Sequence, residues 1–150
     1  MKFTNSLIKG KLLKRYKRFF ADIKVNSKII TAHCPNTGSM QGLLDKGNEV
    51  LLTEHNDPKR KLKFTLEIIK VKKRFVGVNT HRANKIVNHG LENKLISEFK
   101  TIKNIKPEFK FSDDTRFDFL CDNNLIEVKN VTLFRENDIA EFPDAVTSRG

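Results

Sequence analysis

Alternating apolar and polar positions dominate the first half of the chain and predict β-strands. Apolar runs occupy residues 16–25, 29–34, 50–53, 62–71 and 75–78, and none of them carries a strong helical period. Turn-forming residues separate the runs, and Asn26-Ser27 has the composition of a hairpin turn. About five short strands of this kind predict a small barrel.

The spacing of apolar residues changes after Thr80. Asn79 and Thr80 suit the N-terminal cap of a helix, and helical spacing continues over residues 81–99. Gly90 weakens the middle of this segment and marks the point where it would divide. The spaced apolar positions are Ala83, Ile86, Val87, Leu91, Leu95 and Phe99. Residues 104–111 then predict a strand, and residues 144–146 predict the start of another helix.

The segment 115–130, TRFDFLCDNNLIEVKN, predicts a β-hairpin with a polar turn. With Asp122 and Asn123 as the turn, Asp118 lies directly opposite Glu127 on the same face of the sheet. A shift by one residue would mix apolar and polar side chains on each face, so the pattern itself selects the register. The apolar face carries Phe117, Phe119, Ile126 and Val128. The polar face carries Arg116, Asp118, Glu127 and Lys129, with Arg116 opposite Lys129.

Net charge distinguishes the two halves of the chain. The 150 residues carry 29 Lys and Arg against 18 Asp and Glu, a net charge of +11. Residues 1–79 hold 18 basic and 6 acidic side chains, whereas residues 80–150 hold 11 and 12. We therefore predict two domains, 1–79 and 80–150, and a polyanionic partner for the first, either nucleic acid or an anionic membrane surface. The alternative is that the lysines only keep the protein in solution and bind no polyanionic partner.

Basic side chains cluster at the ends of the predicted strands. An oligonucleotide-binding (OB-like) barrel is the common small barrel, and such barrels hold single strands in a basic groove with aromatic platforms. For each Phe taken singly, burial in the core is the expected state. The clusters are Lys9, Lys11, Lys14, Arg15, Lys17 and Arg18; Lys59, Arg60, Lys61 and Lys63; and Lys70, Lys72, Lys73 and Arg74. The interleaved aromatics are Tyr16, Phe19, Phe20, Phe64 and Phe75.

The loop HCPNTGSM, residues 33–40, offers a second place for an anion. Its polar side chains supply donors, and Gly38 permits the positive φ that a concave nest of backbone N–H groups requires. A plain turn uses the same residue types, so both interpretations stay open. The residues predicted to contact a polyanionic ligand are Lys14, Arg15, Lys17, Arg18, Asn36, Thr37, Ser39, Lys59, Arg60 and Lys61.

The same sequence disfavours several classes of protein. No apolar run approaches the ~18 residues of a transmembrane helix, and early lysines interrupt the apolar stretch that a secretory signal needs. Cys34 and Cys121 are too few for a disulfide framework, which favours a cytoplasmic location. His33 adjoins Cys34 without further ligands at zinc spacing. We therefore predict no cysteine-based metal site and no insertion into a membrane. Of the two polyanionic partners, we predict nucleic acid and no membrane.

The polar face of the predicted hairpin matches the PD-(D/E)XK nuclease pattern, an acid on one strand and E-x-K on the next. Asp118 and Glu127 supply the hard oxygen ligands that Mg²⁺ takes in proteins. The metal would polarise a phosphoryl oxygen and activate a bound water, while Lys129 would position that water or stabilise developing charge. Residues i and i+2 of a strand point the same way, which explains the E-x-K spacing. Alternating charges on any solvated hairpin face give the same pattern.

A set of motifs spread over nearly the whole chain carries a resemblance to a known family. They are RYKRF (15–19), HCPNTGSM with GL (33–43), RKL (60–62), VGVNT with AN (76–84), RFDF (116–119), EVKNVTL (127–133) and FPDAVTSRG (142–150). Together they resemble the bacterial and archaeal sugar fermentation stimulation protein A (SfsA) family. The resemblance implies an α+β protein, with an N-terminal OB-like β-barrel followed by an incomplete PD-(D/E)XK nuclease-like α/β domain.

The resemblance also implies DNA binding and a regulatory link to sugar (maltose) metabolism. Carried over by position, Asp118, Glu127 and Lys129 fall on the nuclease-like motif, as catalytic residues with Asp118 and Glu127 as metal ligands. The basic motif falls on Arg15, Lys17 and Arg18.

Two departures from the family affect the predicted activity. Family members continue past the FPDAVT-RG signature, so we expect a C-terminally truncated homologue whose second domain holds one helix and three strands. Asn88 and His89 stand where relatives commonly carry acidic residues. The predicted function is therefore DNA binding, largely independent of sequence. A Mg²⁺-dependent nuclease impaired by truncation is the alternative, and RNA or single-strand binding by the barrel is a third.

Overall fold

The computed structural model describes residues 2–3, 6–134 and 140–142, which form two compact units. One unit holds residues 81–129. The other holds the described residues before position 81 together with those from position 130 onward. The helix predicted at residues 144–146 lies outside the described residues. No helix in the described ranges has the length and apolar character needed to cross a bilayer.

A closed β-barrel forms most of the first unit. Its strands are β1 (Ile8–Tyr16), β2 (Phe20–Val25), β3 (Lys28–His33), β4 (Glu49–Glu54), β5 (Phe64–Val71) and β6 (Arg74–Gly77). The order across the sheet is β3-β2-β1-β4-β5-β6, and a parallel pairing of β3 with β5 closes the first five strands into a barrel. An OB-type barrel together with a small helix-and-sheet unit confirms the predicted α+β fold class.

The barrel core follows the two-residue alternation of its strands. On β1, exposed Lys9 and Lys11 alternate with buried Gly10 and Leu12, so basic residues cover the outer side of a strand whose inner side is apolar. The buried cluster contains Leu12, Ala21, Ile23, Ala32, Cys34, Met40, Leu43, Val50, Leu52, Leu66, Ile69 and Val78.

The first two strands differ from the prediction. A single strand over residues 16–25 is wrong, because β1 ends at Tyr16 and a turn at residues 17–19 precedes β2. The high lysine content of β1 obscures a strand that begins at Ile8. The turn predicted at Asn26-Ser27 is confirmed as the β2–β3 connection, with Asn26 at φ 52°.

The second unit packs a helix on a small antiparallel sheet. Its elements are α1 (His81–Glu92), a 3₁₀ turn (Ser97–Phe99), β7 (Ile105–Lys110), β8 (Arg116–Cys121) and β9 (Asn124–Ile126). The sheet order is β7-β8-β9, and Leu91, Phe119 and Cys121 form the buried centre.

The predicted hairpin register is confirmed but extends less far than expected. The turn at Asp122-Asn123 gives the pairs Phe119–Ile126, Leu120–Leu125 and Cys121–Asn124. Because β9 ends at Ile126, the predicted pairs Asp118–Glu127 and Arg116–Lys129 are not part of the ladder. Arg116 pairs with Lys110 of β7 instead.

The helix is shorter than the apolar spacing predicts. α1 ends at Glu92, and Lys94 adopts a φ of 54° as the chain reverses direction. The Leu95 N–H donates to the Gly90 carbonyl at 2.8 Å, and a Cβ at Gly90 would lie 3.2 Å from the Ile96 side chain. The reversal therefore packs Ile96 on the core and leaves Leu95, predicted to lie on the apolar face, exposed to solvent.

The chain returns to the barrel unit after Lys129. Asn130 Nδ2 donates to the Gly77 carbonyl at 3.3 Å, and Thr132 is buried. The short strands β10 (Leu133–Phe134) and β11 (Ala140–Glu141) then pair antiparallel. The described residues that follow the E-x-K motif therefore belong to the first unit.

Replacing Gly10 with Ala should destabilise the barrel. A Cβ at this position would lie 2.5 Å from Ile23 Cγ2 and 3.1 Å from the Lys24 carbonyl oxygen. Ile23 is fully buried, so its side chain has little space into which it can move. We expect the free energy of unfolding to fall by about 1–3 kcal/mol, measured by urea denaturation.

Gly77→Ala is the matched control, because it adds the same methyl group to another strand of the barrel. A Cβ at Gly77 would have no neighbour within 4 Å, so we expect no loss and at most a small gain from reduced chain entropy. Equal destabilisation by both substitutions would show that close approach at Gly10 is not the cause.

Candidate nucleic-acid interface and carboxylate site

Three loops meet at one end of the barrel through a continuous row of paired residues. Tyr16 pairs with Phe20, Phe20 pairs with His33, and His33 pairs with Thr65. This row joins the β1–β2 turn, the loop after β3 and the loop that leads into β5. We call this region, residues 14–20, 33–40 and 55–65, the basic end. It brings together the second predicted basic cluster and the part of the first that lies at residues 14–18, whereas Lys9 and Lys11 lie further along β1.

The third basic cluster lies away from the basic end. Lys72 and Lys73 form the turn between β5 and β6. β5 runs from Phe64 to Val71, so that turn is roughly 20 Å along the strand from Thr65.

The β1–β2 turn presents three side chains to solvent. Lys17 and Arg18 have φ values of 48° and 62°, in the left-handed region that non-glycine residues rarely adopt. The Phe19 N–H donates to the Lys17 carbonyl at 2.8 Å, and the Cys34 N–H donates to the Phe19 carbonyl at 2.7 Å. These hydrogen bonds fix the backbone, while the side chains of Lys17, Arg18 and Phe19 are all exposed.

Arg15 supports the turn from its own end of β1. Its Nε and Nη2 donate to the Arg18 carbonyl at 3.2 and 2.9 Å, and Nη2 also donates to the Asn36 carbonyl at 2.6 Å. Burial raises the pKa of the Cys34 thiol, and the nearby Arg15 guanidinium opposes that rise. Arg15 therefore positions the turn, a role that the basic motif alone does not reveal. Its predicted contact with DNA stays a prediction.

Lys14 also interacts with neighbouring residues. Its Nζ lies 3.5 Å from Asp22 Oδ2 and 5.2 Å from the centre of the Tyr16 ring. The lysine side chain is still mostly exposed, so these contacts orient the ammonium group without removing it from solvent.

The HCPNTGSM loop is shaped by Asn36 and does not form the predicted nest. Asn36 is 5% exposed, and its Oδ1 accepts the Gly38 N–H at 2.8 Å. The prediction of a positive φ at Gly38 is wrong. In this loop Met40 adopts that conformation, with a φ of 53°. Thr37 and Ser39 are exposed. The Asn36 side chain thus shapes the loop, and its predicted contact with a ligand stays a prediction. The hydroxyl groups of Thr37 and Ser39 are the more exposed candidates.

The β4–β5 loop completes the basic end. Lys59 and Lys61 are exposed, whereas Arg60 is half-buried. Arg60 Nη2 donates to Thr65 Oγ1 at 3.0 Å, and Nε donates to the Leu62 carbonyl at 3.4 Å. Arg60 therefore anchors the loop, and the two lysines extend from it.

A buried polar network lies under this loop, and sequence reasoning missed it. Glu67 is 2% exposed, with Oε1 accepting from Thr53 Oγ1 at 2.7 Å and Oε2 accepting from Asn79 Nδ2 at 2.9 Å. His55 Nε2 lies 3.3 Å from Thr53 Oγ1 and 3.0 Å from Thr65 Oγ1. The available signal was a charged residue within the apolar run of β5, since Glu is almost never buried without partners.

In the second unit, Asp118 is held directly against the E-x-K segment. Its Oδ2 accepts the Val128 N–H at 2.7 Å, and its Oδ1 accepts Asn84 Nδ2 at 2.6 Å. Val128 lies between Glu127 and Lys129 in the chain, so the hydrogen bond brings Asp118 to the motif without a Cα pairing. Asn84, on α1, was missed because no pattern in the sequence links it to β8.

Glu127 and Lys129 form an exposed ion pair. Lys129 Nζ lies 2.8 Å from Glu127 Oε1, and about half of each side chain is exposed. An ion pair of this exposure contributes little to stability. Both side chains therefore keep contact with solvent.

Asp118 and Glu127 offer carboxylate oxygens, the type of ligand taken by a magnesium ion that retains most of its waters. Each Asp118 oxygen accepts one hydrogen bond and keeps a second lone-pair site. Mg²⁺ is commonly held by one or two carboxylates together with waters and phosphate oxygens. Within the described ranges, no three or more His, Cys, Asp or Glu residues are grouped so that they could hold a metal ion.

A cavity of about 380 Å³ opens beside Asp118. Glu92 and Glu108 line it together with Asn88 and His89, the two residues that replace acids expected on the helix. Asn88 Nδ2 donates to Glu92 Oε1 at 2.8 Å. The cavity thus places polar and acidic groups near the Asp118 carboxylate. It lies within the size range of small-ligand sites.

Comparison with known proteins covers both units. Residues 13–78 match the domain family described as the SfsA N-terminal OB domain. Residues 81–150 match the family described as the sugar fermentation stimulation protein RE domain.

Curated relatives align with the whole chain. The sugar fermentation stimulation protein homolog of Pelagibacter ubique is 65% identical over 154 positions, which cover 100% of this chain and 66% of the relative. The homolog of Alteromonas mediterranea is 47% identical, covering 100% of this chain and 68% of the relative. The chain therefore spans about two thirds of the length of these relatives.

A solved structure shares the fold. The structure of Pyrococcus furiosus SfsA in complex with Ca²⁺ matches with a TM-score of 0.81 and 22% identity, over 99% of this chain and 64% of that chain. At this identity the likeness shows the fold alone. Since the two domain families match in sequence order and a relative is 65% identical over the full chain, this chain belongs to the sugar fermentation stimulation protein family.

Proposed function

We propose that this chain binds DNA through the basic end of the barrel. The observation that carries the proposal is the meeting of two basic clusters, distant in sequence, around one row of paired residues. Lys17, Arg18, Lys59 and Lys61 are all exposed there, on loops whose backbones are fixed by Arg15 and Arg60. Cations presented on a fixed scaffold suit a polyanion with regularly spaced phosphates.

Binding of this kind depends on contacts with the phosphates of the DNA backbone. Lysine and arginine contacts to phosphate position a protein but carry no direct information on sequence. We therefore propose binding that is largely independent of base sequence. A regulatory role in sugar (maltose) metabolism would need a second source of specificity, because phosphate contacts alone do not select a gene.

The proposal is tested by measuring DNA affinity as a function of salt. Four phosphate contacts predict that log K falls with log[salt] with a slope of about −3 to −4. Lys59→Gln with Lys61→Gln should reduce the magnitude of that slope by about 2. Fluorescence anisotropy with a labelled duplex gives both values.

Lys72→Gln with Lys73→Gln is the matched control, since it removes the same charge from an exposed turn outside the basic end. We expect the slope to stay nearly unchanged in this variant. A flat salt dependence of the unmodified chain would rule out phosphate binding. Equal effects of the two double substitutions would rule out the basic end as its location.

A second candidate function is metal-dependent cleavage of phosphodiesters by the second unit. It is favoured by the hydrogen bond that brings Asp118 against the E-x-K segment, and by the Ca²⁺ complex of the structural relative. We propose that Asp118 and Glu127 hold Mg²⁺, which supplies Lewis-acid activation of a phosphoryl group and of water. Lys129 carries the positive charge that would stabilise the developing negative charge. Asn84 and the Val128 N–H orient the Asp118 carboxylate.

A further inference from the structure

The basic end carries an aromatic surface that the barrel does not bury. Phe19 is 44% exposed, although burial is the expected state of a phenylalanine. Beside it, the Tyr16 and Phe20 rings stack with centroids 5.6 Å apart and an interplanar angle of 27°. Lys14 Nζ lies over the Tyr16 ring. Flat rings and cations therefore occur together at the basic end.

The turn that carries Phe19 is fixed in an unfavourable conformation. Left-handed φ values at Lys17 and Arg18 are disfavoured because each Cβ crowds its own backbone. Three donor contacts from Arg15 to carbonyl oxygens of Arg18 and Asn36 hold this geometry. The Phe19 backbone is bonded on both sides, so the ring projects from a rigid support. Strained backbone of this kind is typical of sites organised before their ligand arrives.

This combination indicates a ligand with both phosphates and accessible flat rings. Phosphate contacts alone do not require an exposed aromatic side chain. An exposed ring beside cations gains from stacking when bases are unpaired, because each base then offers a free face. In a duplex those faces are already stacked on neighbouring base pairs.

We propose that the β1–β2 turn, with Phe19 and the adjacent Tyr16–Phe20 pair, is a stacking platform for unpaired nucleobases, and that the basic end selects single-stranded over duplex nucleic acid. The inference rests on the proposed binding at the basic end and adds the class of ligand. Unpaired bases occur in both DNA and RNA, and stacking on a ring does not distinguish the two.

The test compares three labelled probes of one mixed sequence of about 20 nucleotides, longer than the site of a single barrel. The probes are single-stranded DNA, the duplex and single-stranded RNA, measured by anisotropy on the full chain at about 0.15 M salt. We expect either unpaired probe to bind at least about 10-fold more tightly than the duplex. Phe19→Ala should weaken single-strand binding by about 5- to 100-fold and change duplex binding by less than about twofold.

Two further variants control for structure. Phe19→Trp keeps an aromatic face and should retain single-strand binding. Phe75→Ala removes another exposed ring, 58% accessible on β6, and should leave all three affinities unchanged. Urea denaturation of each variant checks that the barrel remains folded.

The outcomes separate this inference from the binding proposal on which it rests. Equal affinity for single strands and duplex, with steep salt dependence for both, would overturn the platform and leave phosphate binding in place. Equal weakening of both by Phe19→Ala would also overturn it. Absence of binding to any probe at low salt would overturn both proposals. Preferential binding of either unpaired probe supports the platform, and the ratio of the two affinities assigns the polymer.

Discussion

Replacing Asp118 with Asn should lower Mg²⁺-dependent cleavage of labelled DNA by about 100-fold or more, the size of loss that follows removal of one electrostatic contributor in other active sites. The substitution removes a negative charge from the position where Mg²⁺ would be held. It also breaks one of two hydrogen bonds, because the Asn side chain offers only one acceptor oxygen to Asn84 and Val128. The rate is measured on labelled DNA with Mg²⁺ and again with EDTA.

Asp113→Asn is the matched control for this measurement. Asp113 lies in the same unit, its side chain is 95% exposed, and it forms an ion pair with Lys110. The substitution removes the same charge from a side chain exposed to solvent and outside the proposed site, so cleavage should be unchanged. Lys129→Ala should reproduce the loss caused by Asp118→Asn. Cleavage that survives both Asp118→Asn and Lys129→Ala would reject the assigned site, and cleavage that persists in EDTA would reject the metal.

Replacing Glu67 with Ala should reduce the free energy of unfolding by about 3 kcal/mol or more. The change removes the acceptor of two buried donors, Thr53 Oγ1 and Asn79 Nδ2, and leaves a cavity beside them. In a chain of this size the melting temperature should fall by roughly 10 °C.

Glu49→Ala controls for the loss of a carboxylate from the barrel. Glu49 lies on β4 beside β5, and its carboxylate is 4.0 Å from Lys70 in a partly exposed ion pair. The expected cost is below about 1 kcal/mol. Glu67→Gln removes one of the two acceptor oxygens but keeps the side-chain volume, so it tests the polar contacts without opening a cavity. Equal destabilisation by Glu67→Ala and Glu49→Ala would show that the buried network contributes nothing special to stability.

The hairpin shows how far a local pattern can be extended. The alternation of Phe119 and Ile126 with polar residues selected the correct register, because one face had to be buried. The same pattern predicted a pairing of Asp118 with Glu127 that does not form. Beyond the end of the ladder, the Asp118 side chain on β8 accepts the N–H of Val128, which follows β9. Alternation of residue types contains no information about such a contact.

The residues predicted to form the interface fall into two groups in the structure: those whose side chains hold loops in place and those whose side chains are exposed to solvent. Arg15, Arg60 and Asn36 are residue types that commonly bind anionic ligands, yet their side chains mainly hold loops in place. Lys17 and Lys59, from the same two clusters, are exposed. A guanidinium that reaches a nearby carbonyl gains hydrogen bonds on folding, whereas an ammonium at a turn keeps its water. Only the three-dimensional neighbours decide between these outcomes.

By itself the sequence determined the fold class, most of the strands, the hairpin register and the basic character of residues 1–79, because these depend on local alternation and on composition. Tertiary structure decided which distant segments meet: the row from Tyr16 to Thr65 that forms the basic end, the Glu67 network and the contact of Asn84 with Asp118. Barrel closure and helix packing join residues far apart in the chain. The period of a single strand or helix does not specify such pairings.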